Sequence, residues 1–290
     1  MGLHAKPTFP SPAKPATPVP IAPTKAAPVK DEPRNHPFRD SQQDAQTARE
    51  IPDTPQTRAP AYRLAFTDDD FLTREDLRPV RLQLELLKPQ LMLDEAGITS
   101  TIVLFGGARI REATPGPLTH FYTEARSFAR LMTLKSIATG NRDGVIMTGG
   151  GPGVMEAGNR GAADAGGISI GLNIVLPHEQ APNPYVTPNL CFNFHYFAIR
   201  KMHFLMRAQA VAVFPGGFGT LDEMFEALTL IQTKRMKPVP FLLFGQAFWE
   251  AVINWQALAA AGTISAADLA LFQYVETAEQ AVAAIGNWQG

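Results

Sequence analysis

The sequence predicts a doubly wound α/β domain, a Rossmann-like parallel sheet preceded by an extra N-terminal helical segment, and three observations carry that expectation. Short apolar runs recur between stretches of helical spacing, three of the runs end in glycine-rich turns, and a proline-dense stretch with little to bury comes before them.

Residues 1–60 hold 13 of the 25 prolines and only Phe9 and Phe38 as aromatics, and they read as a disordered Pro-rich tail. A transit peptide is the weaker alternative: no acid precedes Asp31, but so many prolines oppose the amphipathic helix such a signal needs. Residues 61–98 read as an N-terminal helical segment. There Leu77, Val80, Leu84, Leu87 and Leu91 recur at spacings of 3, 4, 3 and 4, one face of a helix, with Pro79 and Pro89 expected to kink or segment it. That face either lies over the core or meets another copy of the chain.

Residues 99–290 read as the nucleotide-binding domain. TIVLF at 101–105, GVIMT at 144–148, ISIGLNI at 168–174, AVAVF at 210–214 and VPFLLF at 239–244 have the length and β-branched content of buried parallel strands. Ligands on such sheets sit beyond the carboxyl ends of the strands, which directs attention to the loops that follow them.

Composition excludes several classes. Lys plus Arg number 26 against 27 for Asp plus Glu. The first 60 residues carry 8 bases and 6 acids, leaving 18 and 21 for the rest, so the expected folded part is not basic and offers no field for nucleic acid or an anionic membrane. The single cysteine, Cys191, excludes an internal disulfide framework and a cysteine-based zinc site. No apolar run approaches a membrane span, and the Pro-rich start lacks the apolar core of a secretory signal, so a cytoplasmic protein is expected.

Three glycine-rich turns follow predicted strands: Gly106-Gly107-Ala108-Arg109, Gly149-Gly150-Gly151-Pro152-Gly153 and Pro215-Gly216-Gly217-Phe218-Gly219-Thr220. Glycine lets backbone N–H groups approach an anion closely, and a following helix adds its N-terminal partial charge. Neither G-x-G-x-x-G nor a G-K-[ST] ending is intact, which disfavours dinucleotide and triphosphate chemistry and favours one phosphate monoester shared between loops. Thr220-Leu221-Asp222-Glu223 has two readings. It is either a capping box, with Glu223 reaching back to the Thr220 N–H, or it brings a carboxylate to a sugar whose phosphate lies in the glycine nest.

Upstream, residues 195–207 read as a buried helix, apolar almost all round, on which Arg200, His203 and Arg207 form a basic stripe. A buried arginine needs an anion, either a structural carboxylate or a ligand phosphate. His195 and His203 read as packing or hydrogen-bonding residues, not metal ligands. Asn173, His178, Glu179, Gln180, Asn183 and Tyr185 form a polar stretch that is either an ordinary loop or a wall facing a base. Glu156 falls at the start of the helix after the second glycine turn, and Asp164 reads as solvent-facing.

PGGFGTLDE at 215–223, RKM at 200–202 and GGGPGVMEA at 149–157 resemble the LOG (Lonely Guy) family of phosphoribohydrolases, often misnamed lysine decarboxylases. The resemblance covers roughly 100–250, and GLNIVLPHEQAPNPY at 171–185 looks like the longer bacterial branch. It implies hydrolysis of the N-glycosidic bond of a nucleoside 5′-monophosphate, AMP or a cytokinin riboside 5′-monophosphate, to free base and ribose 5-phosphate. It also implies no cofactor or metal, a nucleotide as the small-molecule partner, and a dimer or multiple of dimers.

The family's catalytic pair falls on Arg200 and Glu223. Substrate contacts fall on Gly107, Gly150, Gly151, Gly153, Met155, Lys201, Pro215, Gly216, Gly217, Gly219 and Thr220. The first loop reads GGARI where many shorter members have a serine after the glycine, which leaves any hydroxyl contact there without a donor. No lysine is marked for a Schiff base, so lysine decarboxylation finds no support. The rival reading is a non-enzymatic carrier of a nucleotide or molybdenum cofactor on the same loops. Such a carrier would lack the catalytic pair.

Overall fold

The computed structural model describes residues 38–177 and 181–289 and divides the chain into two units, up to Asp69 and from Asp70 onward. In the first unit, α1 (Ser41–Thr47) starts at Asp40, whose carboxylate accepts the Gln43 N–H at 2.8 Å, and single 3-10 turns follow at Pro60–Tyr62 and Ala65–Thr67. Residues 1–37 of the Pro-rich stretch lie outside the described residues; 41–47 of it are helical.

After α2 (Asp69–Leu72) and α3 (Arg78–Glu95), the second unit alternates strand and helix. Its sheet elements are β1 (Thr101–Phe105), β2 (Val145–Thr148), β3 (Ser169–Ile174), β4 (Cys191–Phe194), β5 (Ala208–Val213), β6 (Phe241–Phe244) and β7 (Gln273–Val275). Its helices are α4 (His120–Ala138), α5 (Val154–Asp164), α6 (Phe197–Met206), α7 (Phe218–Gln232), α8 (Gln246–Val252), α9 (Trp255–Ala260) and α10 (Ala278–Gly286).

All seven strands are parallel, in the order β4-β3-β2-β1-β5-β6-β7. The alternation of side chains along each strand divides the core in two. Val103, Phe105, Met147, Leu172, Val211 and Leu243 face one layer with Phe204, Met224 and Trp249, while Ile102, Leu104, Ile146, Ala212 and Phe244 face the other with Phe121, Phe128 and Ala157. Burial on both faces is what near-continuous apolar strands require. The five expected strands are present. The two unexpected ones, β4 and β7, are the short sheet edges, where CFNF and QYV carry polar residues because one side has no neighbour. Chain order reverses between β1 and β5, so the switch point of the sheet lies between the turns at Gly106 and Pro215.

The expectation that prolines could segment α3 is corrected, and so is the expectation that its leucine row lies over the core. The helix runs unbroken for 18 residues: Pro79 sits in the first turn, where no intrahelical N–H is needed, and Pro89 is buried within it. The row Val80, Leu84, Leu87 and Leu91 does not lie over the core but stands 39–54% exposed. The inward face is the parallel row Leu82, Leu86, Pro89 and Leu93. The rotation follows from polar matches to α6. Pro89 has no N–H to give the Glu85 carbonyl four residues back, and His203 Nε2–H takes that acceptor at 3.2 Å. The Glu85 carboxylate accepts the backbone N–H groups of His195 (2.7 Å) and Tyr196 (3.1 Å), capping α6 from a neighbouring helix, since Tyr196 supplies no side-chain cap. Arg207 reaches Asp94 and the Gln90 carbonyl.

These contacts also correct the expectation that the segment at 195–207 is buried all round. Arg200, His203 and Phe204 are inside, while Phe197, Met202 and Met206 are 45–51% exposed. Burial pulls the His203 pKa down and Arg207 adds to this, although the bond to Glu85 opposes it, so the ring is the neutral Nε2–H tautomer. Glu85→Ala should cost about 1 kcal/mol in urea unfolding, the usual worth of an N-terminal cap, and Glu85→Gln, which keeps an acceptor, should cost less.

Candidate functional site

The three glycine turns meet at the switch point. Gly107 N–H donates to the Pro215 carbonyl (3.0 Å), Val154 N–H to the Gly107 carbonyl (3.2 Å) and Phe214 N–H to the Phe105 carbonyl (2.8 Å), so backbone hydrogen bonds stitch the loops after β1, β2 and β5 together. Gly153, at φ 71°, would place a Cβ 2.4 Å from the Gly107 carbonyl oxygen, so both its conformation and its space demand glycine. A Cβ on Gly107 would stand 3.1 Å from the Pro215 oxygen.

Past this junction α7 begins. Its first intrahelical bond runs from Leu221 N–H to the Gly217 carbonyl, leaving the preceding amides at the helix start without helical acceptors. Gly217 and Gly219 are exposed with open space where a side chain would stand, Phe218 between them is 92% exposed, and Thr220 is buried with its hydroxyl against Gly216. An anion could sit on these amides, favoured by the helix dipole.

The capping-box reading is corrected. The residue at the start of α7 is Gly217, without a side-chain cap, and Glu223 is the sixth residue of the helix, beyond reach of a capping role. Its carboxylate Oε1 instead accepts from Arg200 NH1 at 3.4 Å, with the two side chains 15% and 9% exposed. The guanidinium also donates from Nε to the Leu172 carbonyl of β3 (2.7 Å) and lies 5.0 Å over the Phe204 ring. A side chain on Gly149 would meet Arg200 NH2 at 2.6 Å, so the bareness of that glycine makes room for the guanidinium. Burial drives the Glu223 pKa up to about 7; Arg200 and Lys201 pull it down, while Asp222 and Glu226 push it further up.

The other expected site residues fall into three groups. Gly107, Gly153, Pro215 and Gly216 form the stitched junction. Gly150, Gly151 and Met155 lie beside Arg200, with the Met155 thioether over Gly149 and Gly151. Lys201 faces α7: its ammonium bonds Asp222 (3.1 Å) and Glu226 (2.7 Å), one turn apart on that helix and flanking Glu223, so it joins α6 to α7. Burial opposes its charge, but those carboxylates outweigh burial and raise its pKa.

Sequence reasoning missed a buried amide network beneath the second glycine loop. Thr148 Oγ1 accepts the Gly150 N–H (2.9 Å) and donates to Asn159 Oδ1 (2.7 Å), and Asn159 Nδ2 donates to Ser169 Oγ (3.0 Å). The one signal was Asn159 itself, a polar residue among the small, buried residues of α5. Within the polar stretch, Asn173 and Asn183 are buried against this loop and Tyr185 lies under the Arg160 guanidinium; His178, Glu179 and Gln180 fall outside the described residues. Glu156 accepts the Tyr122 hydroxyl at 2.8 Å, and Asp164 pairs with Arg126 instead of facing solvent alone. Among the described residues no group of His, Cys, Asp and Glu could hold a metal ion, and no helix is long and apolar enough to cross a membrane.

Residues 155–285 match the family model described as "Possible lysine decarboxylase". No curated protein matches the chain. Solved structures similar to it include TM1055 (22% identity over 65% of this chain and 99% of that one, TM-score 0.46) and the molybdenum cofactor binding protein from the phototrophic bacterium Rippkaea orientalis (22%, 65% and 96%, 0.45). The Moco carrier protein from Chlamydomonas reinhardtii is similar at 20% identity over 65% and 96%, with a TM-score of 0.43. At 20–22% identity these likenesses carry no statement about activity.

The Glu223 environment generates a stability prediction. Its folded pKa of about 7 stands above the unfolded value of 4.5, so between those limits the native state binds more protons and stability falls as pH rises. Urea unfolding at pH 5 and pH 8 should show this loss in the wild type, on the order of 3 kcal/mol, and not in Glu223→Gln. Equal slopes would mean that Glu223 is as well solvated folded as unfolded.

Proposed function

We propose, from the premise that residues 155–285 form a domain of the LOG family, that this protein hydrolyses the N-glycosidic bond of a nucleoside 5′-monophosphate, giving free base and ribose 5-phosphate. The observation that carries the proposal is the position of Glu223: buried, paired with Arg200, and one helical turn beyond amides open to a phosphate. Glu223 lies four positions along the helix from Gly219, about 6 Å along the axis, roughly the reach from a 5′-phosphate to the far side of its ribose.

In this reading the amides of Gly217, Gly219 and Thr220 hold the phosphate, with Gly107, Gly150, Gly151, Gly153, Met155, Pro215 and Gly216 shaping the pocket around it. As the bond from C1′ to the base nitrogen breaks, its electron pair leaves with the base and positive charge develops on the sugar. The Glu223 carboxylate stabilises that charge and takes a proton from the water that adds to C1′. The departing base takes up a proton from solvent, and Glu223 then releases to solvent the proton it took from water, so that one water is consumed and the carboxylate is restored. A carboxylate titrating near 7 is a stronger base than an ordinary one and is still substantially ionised at neutral pH. Arg200 keeps the carboxylate oriented and disfavours its protonation. Phosphate anchoring supplies orientation at the reacting carbon. Lys201, bound to Asp222 and Glu226, acts through the α6–α7 contact.

The test is a panel of nucleoside 5′-monophosphates, AMP among them, with release of free base followed by chromatography. Glu223→Gln should lower turnover at least about 100-fold without loss of the folded state, and wild-type kcat/KM should rise as pH passes about 7 and then level. Tight binding of intact nucleotide with no product would make the protein a carrier.

The proposal includes assembly into a homo-oligomer, a dimer or a multiple of dimers, in the cytoplasm. The exposed row Val80, Leu84, Leu87 and Leu91 supports it, because an apolar helix face of this length is usually covered. Light scattering should give a multiple of the chain mass for the wild type and a smaller particle for the Leu84→Glu, Leu91→Glu double variant; a wild-type monomer would overturn the assembly.

A further inference from the structure

The loop that follows β3 makes an unusual contact with the second glycine turn. Asn183, buried, donates from Nδ2 to the carbonyls of Gly150 (3.0 Å) and Gly151 (3.0 Å) and to Asn159 Oδ1 (2.9 Å), while its own backbone N–H donates to the Gly150 carbonyl at 2.9 Å. Two donors from one residue therefore converge on a single carbonyl.

The consequence follows from peptide planarity. In a trans peptide the N–H points opposite to the C=O, so drawing the Gly150 carbonyl toward Asn183 aims the Gly151 N–H the other way. The Gly150 N–H is already taken by Thr148 Oγ1, and Pro152 has none to offer. Among the described residues the Gly151 N–H has no hydrogen-bond partner, although Gly151 is buried, and a buried unpaired amide is costly unless something fills it. The Gly151 backbone lies beside Met155 and next to Gly149, which Arg200 abuts.

We infer that Asn183 is a positioning residue that fixes the peptide plane between Gly150 and Gly151 so that the Gly151 N–H is held ready for a phosphate oxygen of the ligand. The inference deepens the proposal that this site takes a phosphate monoester and rests on it.

The test compares Asn183→Ala and the isosteric Asn183→Asp with wild type by calorimetry, using ribose 5-phosphate, AMP and adenosine as probes. Both variants should bind ribose 5-phosphate and AMP about tenfold more weakly, the effect of one lost hydrogen bond, with adenosine unchanged. If cleavage occurs, KM for AMP should rise more than kcat falls. A general loosening of the fold would weaken AMP and adenosine alike, and that result, unaltered affinity for all three, or no wild-type binding of ribose 5-phosphate would each overturn the inference. Should neither variant fold, glycine-selective ¹⁵N labelling of the wild type gives the same decision: the Gly151 amide shifts on titration with ribose 5-phosphate, or the inference fails. Binding is read without turnover, so a wild type that binds ribose 5-phosphate but cleaves nothing would remove the hydrolase reading and leave Asn183 in its role.

Discussion

A buried guanidinium cannot be left without acceptors, and the placement of Arg200 organises the carboxyl edge of this sheet. Its head is divided between a strand carbonyl, at Leu172, and the carboxylate of Glu223, and it stands where a side chain on Gly149 would be. Three elements that are distant in sequence, β3, the turn after β2 and α7, are thereby referred to one planar group. The pairing is not a simple mutual neutralisation. Desolvation raises the Glu223 pKa more than the guanidinium lowers it, because the contact is a single 3.4 Å bond and Asp222 and Glu226 lie close by. The result is a carboxyl group poised near neutrality, the condition that acid–base work requires.

Arg200 can be held so because its helix is gripped from the opposite side. α6 presents Arg200 to the site, His203 and Arg207 to α3, and Phe197, Met202 and Met206 outward. A proline lies behind this arrangement: by withholding an N–H, Pro89 leaves the Glu85 carbonyl for His203, and the same Glu85 caps the start of α6 with its carboxylate. The N-terminal helix is thus a brace for the helix that carries Arg200, attached by directional polar contacts as well as by apolar packing.

The glycine turns work as a set. Backbone bonds from Gly107 to Pro215 and from Val154 to Gly107 join them, and the side chains of Thr148, Asn159 and Asn183 hold the middle one from below. Each of those side chains hydrogen-bonds a glycine-loop backbone group or a neighbour that does. Amides on such a frame need little reorganisation on meeting an anion, which is the advantage of fixed dipoles over mobile ones.

Periodicity and composition determined the parallel sheet and five of its seven strands, because runs such as TIVLF and AVAVF must be buried on both faces. The short edges CFNF and QYV escaped, since an edge strand needs neither length nor full apolarity. The motifs also marked Arg200, Glu223 and the three turns, in which Gly107, Gly149 and Gly153 have steric causes while Gly217 and Gly219 leave open space. What sequence could not fix was direction. A leucine row on α3 at perfect spacing faces outward, a basic stripe on α6 is divided between the site and a brace, and TLDE with the spacing of a cap is no cap. Lys201 turns to α7. In each case local pattern gives the angular position of a residue on its element, while the element's rotation is set by polar partners more than 20 residues away, as from Glu85 to His195 or from Arg200 to Glu223. Only the folded chain brings those together.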